Sequence, residues 1–156
     1  MRLLEHSLAV AYAAETLSSH LLLGDPEKAF TASIIHDIGK VILLTRADQY
    51  RQAIDLAGAL NIDISVIEKE IFGIDHQEIG YVMSQKWRFP EQFLDVIRNH
   101  HAKPEGKEWL LDVVRIADTF IANPATDLGE SSIILQKEKN RMEEKIRKTC
   151  TLLGIG

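Results

Sequence analysis

Apolar residues recur three, four and seven positions apart along most of the chain, a spacing that predicts α-helices. Gly24-Asp25-Pro26 ends one helix and starts the next, with the aspartate as N-cap and the proline at the first helical position. Phe89-Pro90-Glu91 gives another stop and restart. The sequence therefore predicts an all-α fold, a compact multi-helix bundle. The predicted helices cover about 1–22, 26–37, 41–45, 49–60, 64–72, a stretch from 76, a stretch from 90, 107–122 and 136–153.

Histidines collect on the apolar faces of these helices. Five of the six histidines lie at inward-facing positions, and two aspartates join them. Asp118 shares a face with Leu111 and Val114, so its carboxylate is expected to be buried. A buried unpaired charge costs on the order of several kcal/mol, so this group must be protonated, paired or metal-bound. The economical explanation is one polar site inside the bundle, held by His6, His36, Asp37, His76, His100 or His101, and Asp118.

The most informative stretch is Ile34-Ile35-His36-Asp37-Ile38-Gly39-Lys40. Imidazole and carboxylate are ligand types that suit a borderline or hard divalent cation. Consecutive side chains on a regular helix point in different directions, so His36 and Asp37 share one ion only if the helix ends there. Gly39 is expected to let the backbone loosen at this point. The alternative is an ordinary helix end with a capped histidine and a solvated aspartate.

Other polar residues are assigned to the surface or to the core. Glu68-Lys69-Glu70 is predicted to be a solvated helix face, with its last glutamate as a less favoured extra ligand. His20 is predicted to be an ordinary surface residue, and Cys150 a small apolar residue on the stripe of the last helix. Residues 1–123 are predicted to form a metal-binding helical domain. Residues 124–156 are predicted to form a loop and an amphipathic helix that packs on this domain or on a partner.

Composition narrows the class of protein. The chain has 156 residues, of which 46% are hydrophobic and 26% charged, as expected of one soluble globular domain. A net charge of −5 argues against a nucleic-acid groove as the main surface. No apolar run reaches the roughly 18 residues that span a bilayer. The single Cys150 excludes an internal disulfide and a thiolate metal cage. Without a signal-peptide pattern at the start, the expected location is the cytoplasm.

Taken together, these motifs resemble those of a known family. His6, followed by His36-Asp37 and then by Asp118, is similar to the HD superfamily of metal-dependent phosphohydrolases. His76 and the pair His100-His101 are similar to the branch of that superfamily that holds two metals. The resemblance is closer still to the HDOD domains of bacterial signalling proteins. The stretches that carry it are Ile34 to Lys40, Phe72-Gly73-Ile74-Asp75-His76 with Ile79-Gly80, Trp87-Arg88-Phe89-Pro90, Ile97-Arg98-Asn99-His100-His101 and Ile116-Ala117-Asp118.

This resemblance implies a metal-dependent phosphohydrolase with its metal site in the interior of the bundle. The implied ligands are His6, His36, Asp37 and Asp118 for a first cation, and Asp37, His76 and one or both of His100 and His101 for a second. Two such cations, about 3.5–4 Å apart, activate a water and stabilise both oxygens of an in-line displacement. The nitrogen and oxygen ligand set suits iron, manganese, nickel, zinc or magnesium. Lys40 is expected either to steady a phosphate or to be a solvated lysine at a helix end.

The resemblance leaves the function open between two main classes. The favoured one is hydrolysis of a phosphodiester or a nucleotide in bacterial signalling, because every implied ligand is present, with Asp37 and Lys40 as catalytic residues. The alternative is a regulatory module that binds metal, nucleotide or a partner protein without useful turnover. A purely structural helical domain is the least favoured. A signalling partner domain and a homodimer fit the main classes, whereas a nucleic-acid polymer and a membrane are not expected as partners.

Two features depart from the family pattern. The HDOD pattern has further helices before the position of His6, and this sequence does not include them. The related HD-GYP cyclic-dinucleotide phosphodiesterases follow their histidine pair with Gly-Tyr-Pro. Here the polar loop from Ala102 to Lys107 stands in that place, so a cyclic dinucleotide is not supported as the substrate. This loop and Lys40 are the residues expected to line the mouth of the site.

Overall fold

The computed structural model describes residues 3–102 and 108–155, and these residues form helices and the loops between them. No strand is found among them, which confirms the all-α prediction. No described helix is both long and apolar enough to cross a bilayer. The α-helices are α1 (Leu3–Leu21), α2 (Pro26–Ile35), α3 (Ile38–Leu43), α4 (Ala47–Leu60), α5 (Ile64–Phe72), α6 (His76–Lys86), α7 (Glu91–Asn99), α8 (Trp109–Ala122) and α9 (Glu130–Leu153), and a 3-10 turn, Leu44–Arg46, joins α3 to α4.

Helix boundaries follow local capping signals. The Asp25 carboxylate accepts a hydrogen bond from the backbone N–H of Glu27, and Pro26 occupies the first helical position of α2. α5 begins and ends where the sequence predicts. Its N-cap is Asp63, and Gly73 closes it with a φ of 73°, a left-handed conformation that glycine adopts without strain.

The last helix begins earlier than the sequence predicts. α9 starts at Glu130 rather than at Gln136. Ser131 and Leu135 are both buried, so packing holds this first stretch in a helix. The prediction was made from the charged, amphipathic pattern after Gln136, which says nothing about the burial of Ser131 and Leu135. Local helix propensity is a weak guide where tertiary packing determines the structure.

The chain divides into two compact units. The first consists of Met1–His36 and His100–Gly156, and the second of Asp37–Asn99. The first unit therefore contains α1, α2, α8 and α9, and the second contains α3 to α7. The sequence predicted a different division, into a domain of residues 1–123 and a C-terminal part of residues 124–156, and that division stays a prediction.

α1 is the central helix of the first unit. It packs against α2, α8 and α9. Its buried positions include the unbroken run from Ser7 to Ala11, followed by Ala13, Ala14, Leu17 and Ser18. A helix that is buried on most of its circumference needs neighbours on most sides, and these three helices supply them.

α9 lies along α1 in the same unit. The hydroxyl of Tyr12 is 2.8 Å from Oγ1 of Thr149, and Lys145 Nζ donates to the carboxylate of Glu15 at 2.7 Å. Cys150 is buried, as expected of a small apolar residue on the stripe of this helix. α9 therefore covers the central helix with an apolar side and presents its charged side outward.

In the second unit, α4 and α5 form a helical hairpin with a small core of its own. Asn61 ends α4 in the left-handed conformation, with a φ of 53°. The core consists of buried Ala53, Ala57 and Ile67, with Ile64, Ile71 and Phe72 packed against it. The hairpin also carries two buried polar side chains, Tyr50 on α4 and Glu68 on α5.

α3 and α6 contact each other backbone to backbone. A Cβ atom added to Gly39 would overlap the carbonyl oxygen of His76 and would lie 3.0 Å from the backbone nitrogen of Gly80. A helix does end at the His36-Asp37 motif, as expected, but the role predicted for Gly39 in loosening that end is wrong. Gly39 lies inside α3 and is needed because only a residue without a side chain allows this close approach.

Gly39→Ala is expected to destabilise the protein by more than about 2 kcal/mol, because its methyl group would overlap backbone atoms that no rotamer change can move. Gly58, inside α4, gives the matched control, since an added Cβ there has no neighbouring atom of the described residues within 4 Å. Gly58→Ala should instead stabilise the protein by about 0.5–1 kcal/mol. Urea unfolding followed by circular dichroism measures both changes. A Gly39→Ala variant as stable as the parent would contradict the contact.

Candidate metal centre

The backbone changes direction at the His36-Asp37 motif. α2 ends at Ile35, and His36 keeps helical backbone angles. Asp37, with φ −96° and ψ 18°, leaves the helical conformation before α3 begins at Ile38. The boundary between the two compact units falls between His36 and Asp37, so the two side chains belong to different units.

The first unit contains a group of histidines with one aspartate, which we call the four-histidine cluster. Its members are His6 on α1, His36 after α2, Asp118 on α8, and His100 and His101 in the turn that follows Asn99. His6 Nε2 lies 3.0 Å from Asp118 Oδ1. The ring of His36 is edge-on to that of His100, with centroids 5.0 Å apart, and lies 5.5 Å from that of His6. The rings of His100 and His101 are 4.5 Å apart. The fold thus brings five of the predicted site residues together in one unit.

A backbone carbonyl fixes the ring of His36. Its Nδ1 lies 2.6 Å from the carbonyl oxygen of Ser33. A carbonyl oxygen can only accept, so Nδ1 carries a proton, and in the neutral ring Nε2 is the nitrogen that has a lone pair. That Nε2 is 3.9 Å from Asp118 Oδ1. The ring therefore directs Nε2, the nitrogen that could bind a metal, toward the carboxylate of Asp118.

Burial differs within the four-histidine cluster. His36 and His100 are buried, whereas His101 is exposed. His6 and Asp118 are intermediate, with 18% of each side chain exposed. The prediction of a buried Asp118 is therefore wrong in degree. The carboxylate lies at the edge of the cluster and is paired with His6. Because it keeps part of its contact with water, it avoids the full cost of burying a charge.

The second unit contains the Asp37–His76 cluster, which consists of Asp37, Lys40, Tyr50, Glu68 and His76. Lys40 Nζ donates to Asp37 Oδ2 at 2.7 Å, and His76 Nε2 lies 3.6 Å from Asp37 Oδ1. The two oxygens of one carboxylate therefore face two different groups. Lys40 was expected to be either a phosphate ligand or a solvated lysine. Its side chain is only 17% exposed and pairs with Asp37, an arrangement that neither alternative includes.

Glu68 lies behind His76 and is 0% exposed. Its Oε2 accepts hydrogen bonds from the backbone N–H of His76 at 2.8 Å and from His76 Nδ1 at 2.6 Å. Its Oε1 accepts from the hydroxyl of Tyr50 at 3.2 Å. His76 is the first residue of α6, where a backbone N–H has no partner within the helix, and Glu68 supplies that partner.

The assignment of Glu68-Lys69-Glu70 to a solvated face is wrong for its first residue. Lys69 and Glu70 are exposed, but Glu68 is buried. The sequence contains a signal for this, because Glu68 stands four residues after Ile64 and three before Ile71, on the apolar face of α5. Three consecutive charged residues concealed that position. Tyr50 was also missed, because an isolated tyrosine on an amphipathic helix gives no sign of its partner.

Comparison with known proteins gives the family. A sequence model of the HDOD domain family matches residues 1–103. The chain belongs to the HDOD domain family. An HDOD domain protein of unknown function from Geobacter sulfurreducens has the same fold, with a TM-score of 0.75 at 21% identity over 92% of this chain and 61% of its own. The predicted resemblance is thereby confirmed.

Two further relatives carry names that suggest a reaction. A candidate phosphohydrolase from Shewanella amazonensis SB2B superposes with a TM-score of 0.66 at 25% identity, over 93% of this chain and 58% of its own. Ribonuclease Y of Aster yellows witches'-broom phytoplasma (strain AYWB) is 30% identical over 118 residues, which are 75% of this chain and 17% of the relative. The chain spans about three fifths of the solved structures and less than one fifth of this curated relative.

The donor chemistry of this HDOD domain fits a divalent metal. Within the second unit, His76 Nδ1 is bonded to the carboxylate of Glu68, and His76 Nε2 lies 3.6 Å from Asp37 Oδ1. In the neutral ring, Nε2 is then the nitrogen that remains for a metal. That separation is longer than a hydrogen bond. It matches two ligand atoms that each lie about 2.1 Å from one ion. Buried His76 and Asp37 can therefore contribute ligands to one metal.

Two other sequence-based assignments concern residues away from these clusters. His20 is exposed and its Nδ1 lies 2.9 Å from the carbonyl oxygen of Thr16, in agreement with its assignment to the surface. The polar loop expected at the mouth of the site begins at Ala102, which is exposed. Its residues 103–107 lie outside the described part of the chain.

The position of Tyr50 has a consequence for stability at high pH. Burial raises the pKa of its hydroxyl well above the usual range, and the negative charge of Glu68 raises it further. In the unfolded chain the same group has a pKa of about 10. Above about pH 10 the unfolded chain therefore binds fewer protons than the folded one, and stability falls as the pH rises.

The parent should lose about 1.4 kcal/mol of unfolding free energy per pH unit above pH 10 from this group alone, and Tyr50→Phe should lack that loss. Urea unfolding at closely spaced pH values between about 9.5 and 11 measures the two slopes. Tyr81→Phe is the matched control, because it removes a tyrosine but keeps Tyr50 and so keeps the steep dependence. Parallel slopes for the parent and Tyr50→Phe would contradict the assignment.

Proposed function

We propose that this HDOD domain is a metal-dependent phosphohydrolase acting on a phosphodiester or a nucleotide. The observation that carries the proposal is the orientation of two buried histidines. His36 and His76 each donate Nδ1–H to a fixed oxygen, so that each Nε2 points toward an aspartate. Proteins prepare imidazole ligands for metals in this way. The names of two relatives support the reaction class, since a ribonuclease acts on the phosphodiester bonds of RNA and the other relative is a candidate phosphohydrolase.

Each cluster would supply ligands for one divalent ion. Asp37 and His76 would hold an ion in the second unit, and the members of the four-histidine cluster would hold one in the first. Such ions supply Lewis-acid stabilisation of phosphoryl oxygens and lower the pKa of water when bound. Iron, manganese, nickel, zinc and magnesium are all compatible with nitrogen and oxygen donors. The sharing of Asp37 between two ions stays a prediction of the family resemblance.

Lys40 has two roles in this proposal. Its ammonium group holds Asp37 Oδ2, and this orients the other carboxylate oxygen toward His76. A lysine has three N–H donors, so the donors not used by Asp37 can reach a phosphate oxygen. As a compact point charge, the ammonium group suits a phosphoryl group whose negative charge is distributed over several oxygens. Asp37 and Lys40 would thus bind and orient the reacting groups together.

A regulatory function is the alternative, and the same pair of residues supports it. The ammonium group of Lys40 already provides a positive charge at Asp37. A domain that keeps this ion pair would bind a metal or a nucleotide without reorganising Asp37 for hydrolysis. Binding would then act on a signalling partner domain or on a second copy of the chain. Turnover by the metal-loaded protein separates the two functions.

The purified protein should bind about one or two equivalents of a divalent ion after metal is added and the excess removed. His76→Ala and Asp118→Asn each remove a ligand from one cluster, so each should lower the metal content by about one equivalent. Asp48→Asn, exposed on α4, is the control and should leave the content unchanged. Elemental analysis with manganese, iron, zinc, nickel and magnesium measures these values. A parent that holds less than about a tenth of an equivalent of every metal would exclude the proposal.

Lys40→Ala should lower kcat for a phosphodiester or nucleotide substrate about a hundredfold in the presence of manganese, because it removes a charge that acts on the phosphoryl group. The variant should keep its metal, because the ammonium group of Lys40 has no lone pair and supplies no ligand atom. Lys86→Ala, exposed on α6, is the matched control. A metal-loaded parent that turns over no member of a broad phosphoester panel, yet gains thermal stability with nucleotide, would support the regulatory function instead.

A further inference from the structure

The carboxylate of Glu68 serves more than one purpose. Its Oε2 completes the first turn of α6 by accepting the backbone N–H of His76. α6 also has an N-cap of its own, because the carboxylate of Asp75 accepts from the backbone N–H of Glu78 at 2.8 Å. Glu68 Oε2 also accepts Nδ1–H from the ring of His76 at 2.6 Å, the shorter of its two bonds. The bond to the ring is not part of the helix start. It places a hydrogen-bond acceptor at Nδ1 of His76 and so favours a proton on that nitrogen.

Tyr50 holds this carboxylate from the other side. Its hydroxyl donates to Oε1 at 3.2 Å, so both carboxylate oxygens are hydrogen-bonded. Tyr50 and Glu68 are both buried, with 4% and 0% exposed. A carboxylate held at both oxygens inside protein cannot rotate freely. Tyr50, Glu68 and His76 are therefore joined by a fixed series of hydrogen bonds that ends at His76 Nδ1. His76 Nε2 lies on the other side of the ring.

We propose that Glu68, held by Tyr50, is a positioning residue that keeps a proton on His76 Nδ1 and so presents Nε2 to a cation beside Asp37. The inference rests on the proposed metal-dependent function and adds to it a residue that touches neither the metal nor the substrate. Carboxylates behind ligating histidines orient the ring and make it a stronger base. Glu68 is thus assigned to the Asp37–His76 cluster as a support for its histidine ligand.

The consequence of removing Glu68 follows from the neighbours of the ring. A neutral imidazole carries one proton, on either Nδ1 or Nε2. Without an acceptor at Nδ1, the proton is favoured on Nε2, because Asp37 Oδ1 lies 3.6 Å away and can accept it. A proton on Nε2 occupies the lone pair that a cation needs. Metal binding at this histidine would then require that proton to leave.

Nuclear magnetic resonance of the metal-free protein tests the position of the proton directly. Long-range proton–nitrogen correlation on histidine-labelled protein reports whether His76 Nδ1 carries a proton. In the parent, Nδ1 should be protonated and its proton should exchange slowly with water. Glu68→Leu, a substitution of similar size, should lose that signal. Glu68→Gln should retain it, because an amide oxygen can accept both bonds from His76.

Metal affinity gives the second measurement. Competition against a chelator, with zinc as the probe, should show that Glu68→Leu weakens binding by about 10- to 100-fold at the His76 site. Glu68→Gln should weaken it less, because it preserves the ring orientation and removes only the negative charge. Tyr50→Phe should have a smaller effect than Glu68→Leu, since it frees one carboxylate oxygen but leaves His76 bonded. Glu70→Leu, two positions along α5 and exposed, is the matched control and should bind zinc as the parent does.

The outcomes separate this inference from the proposed function. If Glu68→Leu keeps a protonated Nδ1, or binds zinc as tightly as the parent, Glu68 only caps α6 and the inference is wrong. If Glu68→Leu fails to fold, the other proteins decide. The inference is excluded if Glu68→Gln and Tyr50→Phe bind zinc as tightly as the parent and Nδ1 of the parent is unprotonated. If the parent binds no metal but its Nδ1 proton depends on Glu68, the inference about His76 stands and the proposed function fails.

Discussion

The completely buried carboxylate of Glu68 constrains how three helices of the second unit pack together. A carboxylate loses its hydration on burial, and the loss is tolerated only if hydrogen-bond donors replace the water. Here the donors come from Tyr50 on α4 and His76 on α6, while Glu68 itself is on α5. Three helices must therefore keep a defined register. A fold in which one of them slipped would leave a buried charge without donors, so this group favours one arrangement over its alternatives.

Two buried histidines are oriented by the same principle but by different acceptors. His36 donates Nδ1–H to a neutral backbone carbonyl one helical turn back, whereas His76 donates to a charged side chain from another helix. The carbonyl of Ser33 comes from the same helix that leads into His36, whereas Glu68 comes from a helix other than that of His76. The orientation of His76 therefore depends on the packing of α5 against α6, and that of His36 depends on local structure.

The sequence was sufficient for the fold class, most helix boundaries and the group of inward histidines, because periodicity and capping act locally. Asp63 and Gly73 mark both ends of α5, and the apolar stripes locate the histidines without reference to any contact. Glu68 was missed because its burial depends on Tyr50 and His76, which come from other helices. The pairing of Lys40 with Asp37, three residues apart, was also missed, because spacing alone does not decide whether a long lysine side chain extends into solvent or folds back onto a nearby carboxylate.

The direct contact between Gly39 and Gly80 has a mechanical consequence. At most helix crossings in a protein interior, interdigitating side chains separate the two backbones. At this crossing the atoms in contact belong to the backbones of α3 and α6, and backbone atoms have no rotamers to change. The spacing between α3 and α6 at this point is therefore set by backbone atoms alone. His76 begins α6 and Asp37 directly precedes α3, so the same crossing sets the separation of the two residues that would share an ion.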